Sequence, residues 1–332
     1  EDAGGREKSG GSAGAMLELD SDSNVVWENR DIAQHHDYVR LTNGNTVYLA
    51  WEPIPLEVAN QIKGGHHHED DPEFMWGDVV REINAEGELV KEWRSWEHLD
   101  FNEDVICPLE SFKEWTHANS LEVLDNGDWI ISFRLTSTVV IVEYDSGDII
   151  WRWGPGQVAE SHDPKISGPA ELSHQHNAQM LPNGNIMVFD NGCHRKRGPS
   201  FSRILEIDKD TREFVWVYTA PVILAFNSFM VSGCQRLPNG NTLITEGATG
   251  RLFEVTKKHK VVWEYITPWA IPGKFGPSPA VFRSYRFATD DPRLEKLNLS
   301  RDRYADLNAA ILDGVVQKEA EYREDKKEDK KE

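Results

Sequence analysis

The stretch SHQHN, residues 173–177, sets His174 and His176 two apart. Imidazole titrates near neutrality, so such a pair can serve as base, nucleophile or metal ligand, or as a hydrogen-bonded pair in the core. Alternate residues of a strand share a face, so on a strand both rings look the same way. Two other stretches have the same spacing of polar side chains: THANS (Thr116–Ser120), with His117 and Asn119, and AQHH (Ala33–His36), with Gln34 and His36.

Stepping outward, each stretch precedes a turn of one type. LPNGN occurs at Leu181–Asn185 and Leu237–Asn241, with relatives LTNGN at Leu41–Asn45 and LDNGD at Leu124–Asp128. The residue seven before the Asn of each Asn-Gly is His36, Asn119, His176 or Ser232, and the residue nine before is Gln34, His117, His174 or Met230. An apolar run follows every turn: TVYLAWE, WIISFR, IMVFDNG and TLITEG. Asn-Gly between apolar runs predicts a hairpin, here with a type I′ turn and positive φ at both central residues.

A second hairpin recurs as MLELDSDSNVVWEN, VREINAEGELVKEW, VVIVEYDSGDIIWRW, RILEIDKDTREFVWVY and RLFEVTKKHKVVWEY. Each closes on a tryptophan (Trp27, Trp93, Trp151, Trp216 and Trp263) expected to pack between neighbouring units. Four strands repeating over roughly 55 residues read as a propeller blade. The expected fold is therefore all-β, a β-propeller of four-stranded blades with five repeats visible and six as the alternative. The second hairpin leads the chain, and AVFRSYRF (Ala280–Phe287) resembles the strand SGCQRL. That C-terminal strand is expected to join the N-terminal hairpin in the last blade, removing an open edge.

The first strand of a blade lines the axis. The alignment therefore gathers Gln34, His36, His117, Asn119, His174 and His176 around one channel, with Arg283 or Ser284 on the fifth side. Long insertions, PIPLEVANQIKGGHHHEDDPEFMWGD and SWEHLDFNEDVICPLESFKEW, are expected as loops with short helices over one face, where sites are commonly built. His66–His68 within the first reads as surface loop. The loop CHRKRG after FDNG offers His194, Arg195, Lys196 and Arg197 to the channel mouth, where a guanidinium suits an oxyanion.

Residues 1–14 read as a flexible tail, 15–290 as a single propeller domain, and 291–332 as a helical, charged C-terminal tail. The formal net charge of -20 argues against nucleic acid and anionic lipid as partners and leaves a small-molecule substrate. No apolar run is long enough to span a membrane. A soluble protein is expected, cytoplasmic before periplasmic or secreted, although the opening Glu1 leaves a removed leader open. Cys107, Cys193 and Cys234 are too few and too scattered for a disulfide framework or a zinc ribbon.

THANS, SHQHNAQMLPNGNIMVFDNG and SGCQRLPNGNTLITEGATGRLFEVT together resemble the arylsulfotransferase (ASST) family of β-propeller proteins, over about Leu17 to Phe287. The resemblance implies a channel site that moves a sulfuryl group from a phenolic sulfate ester to another phenol without the nucleotide donor PAPS. In characterised members, six-bladed and periplasmic, a channel histidine is transiently sulfated while further histidines and an arginine hold the sulfate oxygens. His117 matches the histidine of the HxNS motif, His176 that following glutamine, and Arg195 or Arg197 the arginine after FDNG. The family's nucleophilic histidine belongs to a later strand, here AFNSFMVSGCQRL, which has none; His259, in a KKHK turn, faces solvent. No stretch corresponds to the N-terminal β-sandwich of the large bacterial enzymes, which implies a short form.

Three functions follow. In the first, an arylsulfotransferase-like enzyme needing no cofactor, His176 or His174 is nucleophile or base. His117, Asn119 and Arg197 then stabilise oxyanion charge, with His36, Arg195, Asn227 and Arg283 as substrate contacts. In the second, His36, His117, His174 and His176 hold a divalent or iron centre, and Asp190 or Glu246 adds a carboxylate. In the third, a non-catalytic propeller binds a small anion or a protein on its loop face.

Overall fold

The Asn-Gly hairpins form, but on a different turn. Gly44 donates its N–H to Leu41 and Leu41 donates to Asn45, and only the glycines (Gly44, Gly127, Gly184, Gly240) have positive φ. This is a type I turn followed by a left-handed glycine, the three-residue hairpin connection. Pro182 and Pro238 suit the second turn position, where φ is near −65°. The preceding Asn keeps right-handed φ and uses its side chain instead: Asn43 Oδ1 accepts from Asn45 N at 2.9 Å.

The computed structural model describes residues 10–300 apart from 13, 68–73, 156–171, 196–197 and 272–275, together with 302, 305, 306 and 309. It begins with a two-stranded hairpin, β1 (Met16–Leu19) and β2 (Val25–Asn29). The first four-stranded sheet contains β3 (Gln34–Arg40) and β4 (Thr46–Pro53). The first insertion contributes β5 (Gly64–His66), and the sheet is completed by β6 (Trp76–Ile83) and β7 (Leu89–Arg94). The second insertion carries β8 (Ile106–Ser111), which pairs parallel with β5. A second blade is formed by β9 (Ala118–Val123), β10 (Trp129–Phe133), β11 (Thr138–Val142) and β12 (Ile149–Trp153). The third consists of β13 (His176–Met180), β14 (Ile186–Asp190), β15 (Arg203–Ile207) and β16 (Phe214–Tyr218). The fourth is β17 (Gly233–Arg236), β18 (Thr242–Glu246), β19 (Arg251–Val255) and β20 (Val261–Ile266). The protein is thus an all-β propeller of four-stranded antiparallel blades. Middle strands such as β10, β11 and β14 are buried throughout because both faces of a blade are covered, which is why WIISF, TVVIV and IMVFD are not strictly alternating.

Blades splay apart from their innermost strands, and the gaps are bridged by side chains. Asp37 on β3 accepts from Leu121 N, Ser120 on β9 from Ala178 N, and Asn177 on β13 from Cys234 N. On β17, Gln235 accepts from Arg286 N. At the rim, the indole N–H groups of Trp93, Trp151 and Trp216 donate to Gly147, Lys209 and Lys257, in the outer turn of the following blade. A clasp also repeats. Arg236 lies over the Trp216 ring and pairs with Glu206; Arg40 does the same with Trp27 and Glu18.

Arg286 repeats that clasp, lying over Trp263 and pairing with Glu254. The segment 280–287 therefore occupies the innermost position after blade four, and Arg283 carries the ring onward to Asp37 on β3 at 2.7 Å. The expected strand-to-hairpin pairing is corrected here. The segment forms no strand and no ladder with β1; its backbone bonds run to the fourth blade, Ser232 N to Phe282 O and Val281 N to Gly247 O. Among the described residues no strand fills the second position of this fifth blade, and β20 is exposed along its length. Pro277 and Pro279, which have no N–H, precede the segment and disfavour a ladder there.

The tail boundaries also shift. His36 donates its N–H to Gly11 O and Gly14 donates to Gln34 O, so the chain already lies along β3 before residue 15. Beyond residue 291 the structure describes a 3-10 turn, Pro292–Leu294; most of the expected helical tail lies outside the described residues. No helix among the described residues is long and apolar enough to cross a membrane.

Candidate active site

The inner ends of the blades enter the channel through left-handed backbone. His36 (φ 48°), His117 (φ 52°), His174 (φ 56°), Asn177 (φ 54°) and Ser232 (φ 93°) all have positive φ. Each such non-glycine residue costs about 1–3 kcal/mol, a strain that concentrates at functional sites. The β3 and β13 ladders slip between His35 and Tyr38 and between His176 and Gln179, bulges that re-aim side chains. The expected shared face of His174 and His176 fails for this reason. His174 precedes β13 in a left-handed turn and points to its own group of neighbours, while His176 begins the strand.

His36 and His117 meet edge to face, with ring centroids 4.6 Å apart. His117 Nδ1 lies 2.8 Å from Glu114 Oε2; the carboxylate can only accept, so Nδ1 carries a proton, and in the neutral ring Nε2 keeps a lone pair. Burial alone would raise the Glu114 carboxyl, but neighbouring His117, through its charge when it is protonated and through its hydrogen bond, outweighs burial and holds it below its usual value. His176 Nδ1 lies 2.8 Å from Asn191 Oδ1. The Asn191 amide nitrogen donates to the carbonyls of Ser228 and Val231, which leaves Oδ1 as the acceptor and His176 Nε2 unprotonated. His36 Nδ1 lies 2.8 Å from His35 Nδ1. His35 stacks on Trp51, and its Nε2 makes an ion-pair contact, not an aligned hydrogen bond, with Asp78 at 3.2 Å. A proton on His35 Nε2 makes His35 Nδ1 the acceptor, so His36 also presents a bare Nε2.

Burial is the main reason His36, His174 and His176 stay neutral. It holds His36 well below its ordinary value, helped by neighbouring His117, His35, His176 and Arg134. It lowers His176 to about 3 and His174 to about 2, with Arg134 the next contributor to both. Arg134 is thus the cation common to His36, His174 and His176. It follows β10 directly, donates to Glu110 Oε1 at 2.9 Å, and gives its backbone N–H to His117 O. The arrangement combines three unprotonated imidazole nitrogens with one guanidinium, a set suited to nucleophilic or base chemistry beside an anion.

Two clefts flank the ring. One, of about 800 Å³, is lined by Cys107, Leu135, Thr136, His174, His194 and Arg195. The other, of about 420 Å³, is lined by His36, Asp37, Glu122, Asn177, Arg283 and Tyr285.

The expected site residues therefore divide. His36 and His117 meet, His176 lies near enough to influence both electrostatically, and His174 lies on the side of the larger cleft. Asn119 is fully buried, its amide nitrogen donating to Gln175 O between blades two and three. Arg195 is buried on the wall of the larger cleft, paired with Asp190 and Phe201 O. Arg283 is engaged with Asp37 and Tyr285 at the smaller cleft. Asn227 is exposed, gives its N–H to Glu246 and lines neither cleft, which corrects its expected place at the substrate. Arg197 and His68 lie outside the described residues. The expected carboxylates are engaged elsewhere: Asp190 with Arg195 and Arg203, and Glu246 with Arg251. Ser232, in the segment AFNSFMVSGCQRL, is buried with its hydroxyl on Ser228 and Met230.

Four site residues escaped the spacing argument. Arg134 ends WIISFR at the register that Trp51, Asn191 and Gly247 occupy after the other Asn-Gly turns, a visible but unread signal. Glu114 lies three residues before His117, while Glu110 sits in an insertion without a repeat to align. Asp78 is a buried carboxylate inside an apolar strand.

With the geometry in hand, comparison places the chain. The arylsulfotransferase (ASST) family model matches residues 16–277, and the chain belongs to this family. No curated protein matches it. Among solved structures it is similar to a protein of unknown function from Bacteroides caccae, at 15% identity and TM-score 0.41, covering 77% of this chain and 91% of that one. It is also similar to virginiamycin B lyase from Staphylococcus aureus, at 14% identity and TM-score 0.35, covering 67% of this chain and 60% of the lyase. These structural likenesses are too slight to bear on activity.

Proposed function

We propose that this protein is a PAPS-independent sulfotransferase acting on small phenolic sulfate esters, with His117 as the residue that carries the sulfuryl group. The observation that supports this most is the Glu114–His117 pair: a buried carboxylate orients the ring, so that the neutral ring keeps a lone pair on Nε2. The strand that supplies the family's nucleophile has no histidine here, so the role passes to an imidazole already on the ring. Of the three, His117 is the one whose proton is held by a carboxylate, and its side chain is 13% exposed.

In the first half-reaction His117 Nε2 attacks sulfur. The S–O bond to the aryl group breaks, and the phenolate leaves with the electron pair. The sulfated ring is cationic, and the adjacent Glu114 carboxylate stabilises it. Arg134 compensates charge on the sulfuryl oxygens. In the second half-reaction the acceptor phenol's oxygen attacks sulfur and the N–S bond breaks; the electron pair returns to His117 Nε2, which takes the phenol's proton and passes it to solvent. The test is transfer from an aryl sulfate to a phenol without PAPS, followed by product formation. Turnover by the wild type that falls roughly 10³-fold or more in His117→Ala is expected. Wild-type transfer that His117→Ala leaves intact contradicts the assignment.

A further inference from the structure

The larger cleft holds a second cluster, outside the chemistry just described. Strand β8, from the second insertion, brings Cys107 to its wall and carries Glu110 three residues on. His174 comes from the turn before β13, and His194 from the loop after β14. One ligand atom from each of Cys107, His174 and His194 lies within 4.8 Å of the others. Cys107 Sγ is 3.6 Å from His194 Nδ1. Glu110 Oε1 is 3.4 Å from His174 Nδ1 and 3.5 Å from His194 Nδ1.

These separations are long for hydrogen bonds but natural for the edges of a coordination tetrahedron. Bonds of 2.0–2.3 Å to nitrogen, oxygen and sulfur give edges of roughly 3.3–3.8 Å. His174 Nδ1 is buried with no hydrogen-bond partner, on a side chain only 2% exposed, and it faces this group. A buried imidazole nitrogen left unpaired costs free energy that a ligand would recover.

We propose that Cys107, His174 and His194, with Glu110 beside the two imidazoles, form a site for a divalent transition ion of the zinc class. A thiolate with two neutral imidazoles selects a borderline-soft ion over calcium or magnesium. The site is distinct from the His36–His117–His174–His176 quartet expected earlier: among the described residues, those four do not bring three ligand atoms together. Glu110 also accepts from Arg134, and a carboxylate has enough lone pairs for both roles. Binding would fasten the second insertion to the third blade and thereby fix Glu110 and Arg134 at the mouth of the channel.

The test uses untagged protein loaded with Zn²⁺, exchanged against a weak competing chelator and analysed by mass spectrometry for metal content. About one equivalent per chain is expected, falling to background in Cys107→Ser and in His194→Ala. A variant with His66, His67 and His68 replaced by alanine should retain the metal, because that run is not part of the site. Loading with Co²⁺ should give a thiolate-to-cobalt absorption band that Cys107→Ser lacks. Zinc should also raise the melting temperature of the wild type and leave that of Cys107→Ser unchanged, which shows that the variant still folds. No bound zinc in the wild type, zinc that persists in both single variants, or zinc lost with the histidine run each overturns the proposal.

Discussion

Replacing Asp37 with asparagine tests how the propeller closes. Asp37 Oδ2 accepts from Leu121 N at 3.0 Å and from Arg283 Nη2 at 2.7 Å, so one carboxylate joins β3 to β9 and to the C-terminal segment. The side chains of the pair are 10% and 14% exposed. Removing one partner of a buried pair costs about 3–5 kcal/mol. Asparagine keeps an acceptor for Leu121, and Arg283 keeps Tyr285 at 2.9 Å, so the lower end, about 3 kcal/mol, is expected here. For a chain of this size that lowers Tm by roughly 6 °C. Arg283→Met should cost a similar amount. The double variant should be little worse than either single one, with a coupling of about 2 kcal/mol in urea unfolding. Arg40 and Glu18 make a similar clasp with side chains 26% and 52% exposed, so Glu18→Gln should cost under about 1 kcal/mol. Additive effects of Asp37→Asn and Arg283→Met, or a Tm shift no larger than that of Glu18→Gln, would refute closure through this pair.

Other outcomes follow from the buried titratable groups. Histidines held neutral by burial, with His176 lowered from 6.5 to about 3, support the fold fully above pH 6.5 and lose that support as pH falls towards 3. His176 alone contributes about 5 kcal/mol across that window, and a Tm that stays flat from pH 7 to 5 would contradict it. Glu122 behaves in the opposite sense: burial raises its carboxyl from 4.5 to about 7, so its support is full below 4.5 and lost as pH rises through 7. Glu122→Gln should therefore stabilise by up to about 3 kcal/mol at pH 8 and little at pH 5, as read from melting curves at both pH values. Glu114→Gln weakens a charge-assisted hydrogen bond worth about 1.5–3 kcal/mol, so kcat/KM for sulfuryl transfer should fall about 10- to 100-fold; an unchanged value would remove Glu114 from the mechanism.

The repeat was legible because its signals are local. Asn-Gly turns, apolar middle strands and a tryptophan closing each outer hairpin are fixed by turn chemistry and burial on both faces, and they locate the blades. The turn subtype was not legible, since Asn43 and its counterparts can adopt either sign of φ and the flanking Pro182 and Pro238 decide. His36, His117 and His176 were found by register from the turns. His174 was misplaced because its left-handed backbone breaks the alternation on which register depends. Glu110 and Glu114 come from an insertion with no repeat, so only tertiary structure brings them to the histidines. Arg286 shows the converse: its clasp on Trp263 and Glu254 identifies 280–287 as an innermost segment where hydrogen-bond ladders assign no strand.

The central claim is that His117 carries the sulfuryl group. Incubating the protein with an aryl sulfate without acceptor, and measuring intact mass under conditions that preserve N–S bonds, tests it most directly. A gain of one sulfuryl group in the wild type, mapped to His117 and absent from His117→Ala, is predicted. A wild type that gains no mass while transferring sulfuryl groups, or an adduct that survives in His117→Ala, would contradict it.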